Sequence, residues 1–284
     1  MDLLWLPFSL ATIFFCGFAQ VFAKETRTNV SSANYMLMLG ASMFVFMVAY
    51  WFVFRVPGEY ESWIWVQATI ASALSGFAYI VYYESLKHGK VSIVGTISGA
   101  YAPWVVFLSL LFLGESLSVA EGAGVALVVT SMLVFTYTPS NGSTRKTELL
   151  GIAFAVAALF LWGTSAVVAK GAIREMGDAN FIGVFAVVCP AIWTVYWLAS
   201  TKGRFEVPRI GRNMLLLSTT FLAAGGVTLY LAYANGNLSI VSPITNLYPV
   251  LTIAVAKVKL KERLTAKQYA ALAMLLVAIP LFSL

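Results

Sequence analysis

Residues 92–101 read SIVGTISGAY, and a shift of 147 positions lays them, without a gap, over residues 239–248, SIVSPITNLY. Both segments are apolar, yet both contain hydroxyl groups together with Gly or Pro. Gly and Pro are the poorest helix formers, and a hydroxyl group in hydrocarbon needs a hydrogen-bond partner. The recurrence of this unfavourable composition indicates an internal repeat whose equivalent segments do more than fill a helix.

The repeat extends over the whole chain. Its further matched segments are GESLS (114–118) with KERLT (261–265) at the same shift, and FFCGFAQVFAK (14–24) with FLWGTSAVVAK (160–170) at a shift of 146. The first copy occupies residues 1–137 and the second occupies residues 149–284. Residues 138–148, TPSNGSTRKTE, form the linker, because Pro, Gly and Ser interrupt regular structure.

The composition places the chain in a membrane. Hydrophobic residues make up 60% of the sequence and charged residues only 11%, whereas soluble domains are roughly half apolar and a quarter charged. A helix of about 20 apolar residues crosses a bilayer. Ten such spans are present, at residues 5–23, 35–54, 63–84, 92–113, 121–137, 149–169, 181–199, 214–234, 239–256 and 266–283.

Five spans in each copy give the two copies opposite orientations in the membrane, because five is odd. The sequence therefore predicts an all-α membrane protein of ten transmembrane helices, arranged as two inverted five-helix repeats. Inverted repeats are typical of secondary transporters, which bind solute near the bilayer midplane where the repeats meet.

The distribution of charge predicts an orientation. Of the 18 Lys and Arg residues, 15 fall at one surface and three, Arg55, Lys170 and Arg174, at the other. Basic loops face the cytoplasm, so both termini should face outward and the linker 138–148 should be cytoplasmic. We expect a cysteine placed at Ser143 to react with a membrane-impermeant thiol reagent only after cells are permeabilised. Labelling of intact cells would reverse the orientation.

Two short motifs add a family resemblance. They are Leu161, Trp162, Gly163 and Lys170 in the first helix of the second copy, and LGESLS (113–118) at the end of the fourth span. With ten spans in two halves, the chain resembles the EamA-type members of the drug/metabolite transporter superfamily over its full length. The resemblance implies a carrier of small organic solutes, with a central cavity lined by the first, third and fourth helices of each half.

The sequence departs from this family pattern at two positions. Cys16 stands before Gly17 where the pattern has Trp, and Lys261 stands before Glu262 where it has Gly. The resemblance also implies cytoplasmic termini, the opposite of the orientation that the charges predict. Both orientations remain open.

Tyrosines in equivalent positions are candidate solute-binding residues. Tyr101 and Tyr248 are repeat mates about nine residues into their spans, which is near the midplane at about 1.5 Å per residue. Tyr83 and Tyr230 are also mates, and Tyr79 lies one turn before Tyr83. A tyrosine gives an amphiphilic solute an apolar ring and one hydroxyl group. Anchoring at the lipid headgroups is the alternative, and it remains open for Tyr83 and Tyr230.

Four further candidates are polar, and one is aromatic. Ser98 and Thr245 are mates on the small-residue faces of the fourth and ninth spans, and Asn246 and Gln20 are amides inside spans. Trp162 is added through the family resemblance. Close helix packing with interhelical hydrogen bonds is the alternative for the polar groups, and core packing is the alternative for Trp162.

Three charged residues are candidates for gating or coupling. Glu84 is an acidic residue inside a span, and a membrane carboxylate predicts a function. Lys87 and His88 follow it by three and four residues, which favours an ordinary pair on one helix face. Lys24 and Lys170 end equivalent helices and are expected to extend to opposite surfaces. Attraction of carboxylated solutes at the two mouths is the alternative.

The sequence contains no Cys/His/carboxylate cluster, phosphate-binding loop or nucleophile–base arrangement. It therefore predicts no metal site, no cofactor and no enzymatic activity. The expected partners are a small-molecule solute and membrane lipid, the latter at KVKLKERLTAK (257–267). We expect no nucleic acid partner, a monomer or homodimer, and a multi-pass location in the plasma membrane.

These features favour a carrier for small amphiphilic metabolites, amino acid-like or amine-like, that works by alternating access. The alternatives are a sugar or nucleotide-type metabolite carrier, a membrane-embedded enzyme and a channel.

Overall fold

The computed structural model is helical over most of the residues that it describes, which are 3–26, 30–88, 97–98, 100–136, 146–209, 211–248, 250–252, 255, 269–270, 273–274, 277–278 and 281. Eight helices are defined there. They are α1 Trp5–Thr26, α2 Ser32–Phe54, α3 Ser62–His88, α4 Ala102–Phe112, α5 Val119–Thr136, α6 Lys146–Thr201, α7 Arg212–Asn235 and α8 Leu238–Thr245. The predicted all-α membrane fold is confirmed.

The longest helix contains two of the predicted spans. Helix α6 has 56 residues, about twice the number needed to cross a bilayer once. Gly177 breaks it with φ 79° and ψ 162°, a left-handed conformation that glycine adopts without steric penalty. The spans predicted at 149–169 and 181–199 therefore form the two arms of α6.

Local signals in the sequence fix several helix ends. Ser31 begins α2 by accepting a hydrogen bond from the backbone N–H of Asn34 at 3.2 Å. Ser118 and Glu121 form a reciprocal capping box at the start of α5, with distances of 2.7 and 3.2 Å. These caps satisfy backbone N–H groups that the first turn of a helix leaves free.

The outside of the bundle is apolar. Large hydrophobic side chains such as Phe52, Val53, Phe112 and Val195 are more than 60% exposed. In a soluble protein such a surface is an interaction site or an aggregation hazard, whereas in a bilayer it faces lipid. Five of the described helices, α1, α2, α3, α6 and α7, have the length and hydropathy to cross a membrane.

Helices of the first copy pack mainly against helices of the second. Helix α3 lies along α6, α1 lies along α7, and α4 contacts both α6 and α8. Small residues allow this close approach. A methyl group added at Gly225 would lie 2.6 Å from Sγ of Cys16, and one added at Gly163 would lie 2.6 Å from Cδ1 of Trp104. The two copies therefore interlock, with the helices that surround the centre drawn from both.

Candidate solute-binding site

Two interrupted helices meet at the centre of the bundle. In the fourth span, residues 100–101 form a turn between the helical residues 97–98 and the start of α4. In the ninth span, α8 ends at Thr245 and residues 246–247 form a turn. The shift of 147 positions brings 100–101 over 247–248, so the breaks occupy nearly equivalent places. Interrupted helices at corresponding positions of two repeats mark the binding sites of many transporters.

A cavity of about 130 Å³ lies beside these breaks. Helices α1, α2, α3, α6 and α7 complete its wall. Its lining consists of Thr12, Cys16, Gln20, Met43, Met47, Ser75, Tyr79, Tyr82, Tyr83, Ser98, Tyr101, Trp162, Ser165, Ala166, Phe185, Leu222, Gly226, Leu229, Tyr230, Tyr233, Thr245 and Tyr248. Among these described residues, none carries a formal charge.

The cavity brings together nine of the ten residues predicted to bind solute. They are Gln20, Tyr79, Tyr83, Ser98, Tyr101, Trp162, Tyr230, Thr245 and Tyr248. Their side chains come from both copies and from positions up to 228 residues apart in the sequence. A role of these residues in binding stays a prediction, because a residue can line a cavity without contacting a solute.

The lining consists largely of repeat mates. The eight mated pairs are Cys16 with Trp162, Gln20 with Ala166, Ser75 with Leu222, Tyr79 with Gly226, Tyr82 with Leu229, Tyr83 with Tyr230, Ser98 with Thr245, and Tyr101 with Tyr248. Equivalent residues of the two copies thus line one shared space, and the cavity lies where the two halves meet.

The two halves of the cavity differ in chemistry. At four pairs the first copy has a polar side chain, whereas the second copy has an apolar residue or glycine. These first-copy residues are Gln20, Ser75, Tyr79 and Tyr82, and their mates are Ala166, Leu222, Gly226 and Leu229. At these four positions the lining is therefore polar in the first copy and apolar in the second.

An aromatic cluster surrounds Trp162. The ring centroids of Tyr79, Tyr82 and Tyr101 lie 5.1, 5.3 and 6.1 Å from that of Trp162. Three of these rings come from the first copy and Trp162 from the second. Because its mate is the smaller Cys16, the opposite side of the cavity has no ring at the equivalent position.

Hydroxyl groups around the cavity donate their protons away from it. Ser165 donates to the backbone oxygen of Ala71 at 2.8 Å, and Thr245 donates to that of Val241 at 2.9 Å. Thr12 instead pairs both with the backbone oxygen of Phe8, at 2.9 Å, and with the hydroxyl of Thr228, at 3.0 Å. A hydroxyl has one proton and two acceptor lone pairs. Ser165 and Thr245 therefore present acceptors to the cavity.

Asn246 is the predicted binding residue that does not line the cavity. Its Nδ2 donates to the backbone oxygen of Ser242 at 2.9 Å, within its own turn of helix. Its side chain lies close to the hydroxyl of Tyr101, which is also close to that of Tyr233. A part of Asn246 in binding stays a prediction, and it would act by positioning Tyr101.

Glu84 stands apart from the cavity lining. Its Oε1 lies 2.6 Å from Nζ of Lys87 and accepts a hydrogen bond of 2.6 Å from the hydroxyl of Tyr196. The pairing with Lys87 on one helix face is the ordinary arrangement that the sequence favoured. A coupling role for Glu84 remains a prediction.

Lys170 does not extend to a surface, and that prediction is wrong. The residue is 5% exposed, and its Nζ donates to the backbone oxygens of Tyr233 and Gly236. The end of α7 leaves carbonyl oxygens without helical partners, so the ammonium group binds there instead of reaching water. The side chain of its mate, Lys24, lies outside the part of the chain that the structure describes.

A buried carboxylate near Lys170 was missed by sequence reasoning. The side chain of Glu115 is 1% exposed and accepts 2.8 Å hydrogen bonds from the backbone N–H groups of Leu238 and Ser239, at the start of α8. Arg174 lies 3.5 Å from it. The contact ties the end of α4, in the first copy, to α8, in the second. The sequence did hold a signal for this residue, because Glu115 and Glu262 occupy equivalent positions in the two copies.

Other lining residues were also missed. Thr12, Cys16, Ser75, Tyr82, Ser165 and Tyr233 line the cavity without having been predicted. Tyr82 lies beside the predicted Tyr83 in the sequence. Cys16 is the mate of the predicted Trp162, so the repeat indicated Cys16 as a candidate. The hydroxyl residues gave no signal, because Ser and Thr are common in close helix packing. No group of His, Cys, Asp or Glu suited to a metal ion occurs among the residues described here.

Comparisons with known proteins agree with this architecture. A protein from Sinorhizobium sp. described as "Uncharacterized transporter in cobO 3'region" is 22% identical over 136 residues, which are 46% of this chain and 94% of that protein. A protein of known crystal structure is similar in fold, with a TM-score of 0.80 at 15% identity, over 97% of this chain and 95% of the other.

A family model covers almost the whole sequence. The model of the EamA-like transporter family matches residues 3–137 and again residues 149–284. Its members are ten-helix integral membrane proteins with an internal repeat. The double match, the interrupted helices and the central cavity lead to one conclusion: the chain belongs to the EamA-like transporter family.

Proposed function

We propose that this transporter is a carrier for a small amphiphilic organic solute, which it moves by alternating access between its two five-helix repeats. The observation that carries the proposal is the cavity built from repeat mates beside two interrupted helices. A space on the axis between inverted repeats can open to either side of the membrane when one repeat tilts against the other.

The solute would lie between the four polar side chains of the first copy, Gln20, Ser75, Tyr79 and Tyr82, and their apolar mates in the second copy. Tyr101 and Tyr248 flank it from the two interrupted spans, and Trp162 supplies an apolar surface. Gln20 offers both a donor and acceptors. This set of groups suits a solute with an apolar body and one polar end, amino acid-like or amine-like.

Glu115 would hold one end of the carrier closed. It joins the two copies through two backbone N–H groups and lies close to Arg174. Opening at that end requires α4 and α8 to separate, which breaks these contacts. Closure and opening then differ by a small number of hydrogen bonds, each with a net contribution of about 1.5–3 kcal/mol when one partner is charged.

A membrane-embedded enzyme and a channel are the competing functions. The described lining holds Ser, Thr, Tyr and Gln but no charged group that could act as a general acid or base near neutral pH, which favours a carrier over an enzyme. Saturable counterflow in proteoliposomes separates a carrier from a channel. A solute-dependent product formed by the purified protein would instead support the enzyme.

The test of this proposal is a variant that fills the cavity. A thermal-shift screen of amines, amino acids, sugars and nucleosides first identifies a ligand, because binding to the folded state raises the apparent stability. We then expect G226Y to abolish counterflow of that ligand. Gly226 lines the cavity and its mate is Tyr79, so a second ring takes the space that the solute needs.

The design of this variant limits damage to the fold. A methyl group added at Gly226 first meets the flexible end of Met47, at 2.8 Å. The matched control is G122Y, since no atom lies within 4 Å of a methyl group added at Gly122, outside the cavity. Counterflow that persists in a folded G226Y protein, or that is lost equally in G122Y, would contradict the proposed site.

A further inference from the structure

We propose that the solute is an organic cation whose alkylated ammonium group binds against the aromatic cluster of Trp162, Tyr79, Tyr82 and Tyr101. This inference rests on the proposed function and selects the amine-like class over the amino acid-like class. Three observations support it: the arrangement of the rings, the direction in which the hydroxyl groups donate, and the charge of the lining.

The rings provide the attraction. All four line the cavity, and the three tyrosine centroids lie within 6.1 Å of that of Trp162. The face of an aromatic ring carries negative electrostatic potential, and a cation within about 6 Å of the ring centroid is attracted to it, most strongly by Trp. Several rings around one site are the usual means of binding a quaternary ammonium group.

The hydroxyl groups complement the rings. Because Ser165 and Thr245 donate their protons to backbone oxygens, the lone pairs of these two hydroxyl groups are what they offer a solute. Such lone pairs stabilise a positive charge and offer nothing to a carboxylate. The bonding of these two side chains therefore favours a cation over an anion.

The charges lead to the same choice. A buried anion without a cationic partner is strongly unfavourable, and the described lining contains no Lys, Arg or His. Lys170, a nearby ammonium group, is itself bound to the backbone oxygens of Tyr233 and Gly236 and does not line the cavity. An alkylated ammonium group needs no carboxylate partner there, because its methyl groups contact the rings directly.

The decisive comparison is between choline and its uncharged isostere, 3,3-dimethylbutan-1-ol, which has carbon in place of nitrogen. Calorimetry on the purified protein is expected to give an affinity for choline at least ten-fold higher than for the isostere, within the range of cation–π contributions. Glycine betaine, which adds a carboxylate, should bind more weakly than choline. Equal affinities for choline and the isostere, or no binding of choline, overturn the proposal.

Variants at the cluster assign the effect to Trp162. In W162L, the affinity for choline should fall at least ten-fold while that for the isostere changes less than about three-fold. W162F retains an aromatic face and should restore most of the selectivity. W104L is the matched control, since Trp104 packs against Phe107 and Phe160 outside the cavity lining. Equal losses for both ligands in W162L would show that the ring only packs, and would overturn the proposal.

The outcomes also distinguish the two proposals. If choline and the isostere bind equally while G226Y abolishes counterflow of a ligand from the screen, the carrier stands and the cation preference fails. If G226Y leaves counterflow intact, the cavity is not the transport site and both proposals fail.

Discussion

Replacing Glu115 with alanine is expected to lower the free energy of unfolding by about 2–5 kcal/mol, because two backbone N–H groups at the start of α8 lose their acceptors in a buried place. The substitution also removes a negative charge from the positive end of a helix dipole. Equilibrium unfolding in detergent micelles measures the change. E115Q keeps one acceptor oxygen and should lose less.

Glu121 provides a matched control for this prediction. It also accepts a hydrogen bond from a backbone N–H group at a helix start, that of Ser118 at 2.7 Å, but in a solvent-accessible place. E121A should therefore lose only about 1 kcal/mol, as is typical of helix caps. If E115A loses no more than E121A, the link between α4 and α8 contributes little to the fold.

Replacing Tyr101 or Tyr248 with alanine should weaken solute binding by about ten- to hundred-fold. Each ring contributes the burial of a large apolar side chain, about 1–3 kcal/mol, and the two rings flank the cavity from the two interrupted spans. Calorimetry with the ligand from the thermal-shift screen measures the effect in each variant. Phenylalanine should be tolerated better, unless the hydroxyl binds the solute directly.

Two further variants qualify this prediction. N246A should also weaken binding, to a smaller extent, because Asn246 interacts with the hydroxyl of Tyr101. Y269A is the control, since Tyr269 is 54% exposed on the outside of the protein. Near-normal affinity in both Y101A and Y248A, or losses no larger than in Y269A, would mean that the two rings only pack.

The sequence by itself determined the membrane class, most of the spans and the repeat. Hydrophobicity along the chain is a local property, so spans such as 35–54 and 214–234 appear directly as helices α2 and α7. The repeat added long-range information that the hydrophobic periodicity of single helices lacks. Equivalent positions in two inverted halves are expected to be related by one axis, so they should lie near each other at the centre. For that reason the mates Tyr101 and Tyr248 could be placed beside a shared space before any helix was located.

The tertiary structure alone decided which distant groups pair. Glu115 meets Leu238 across 123 positions, and Lys170 binds the end of α7 rather than water. Asn246 turns back to its own helix, although its neighbour Thr245 lines the cavity. A sequence pattern shows which residues share a helix face, but not which helix that face meets. That choice depends on how helices from both copies interlock, since unpaired polar groups in a membrane bind whichever partner the packing brings within reach.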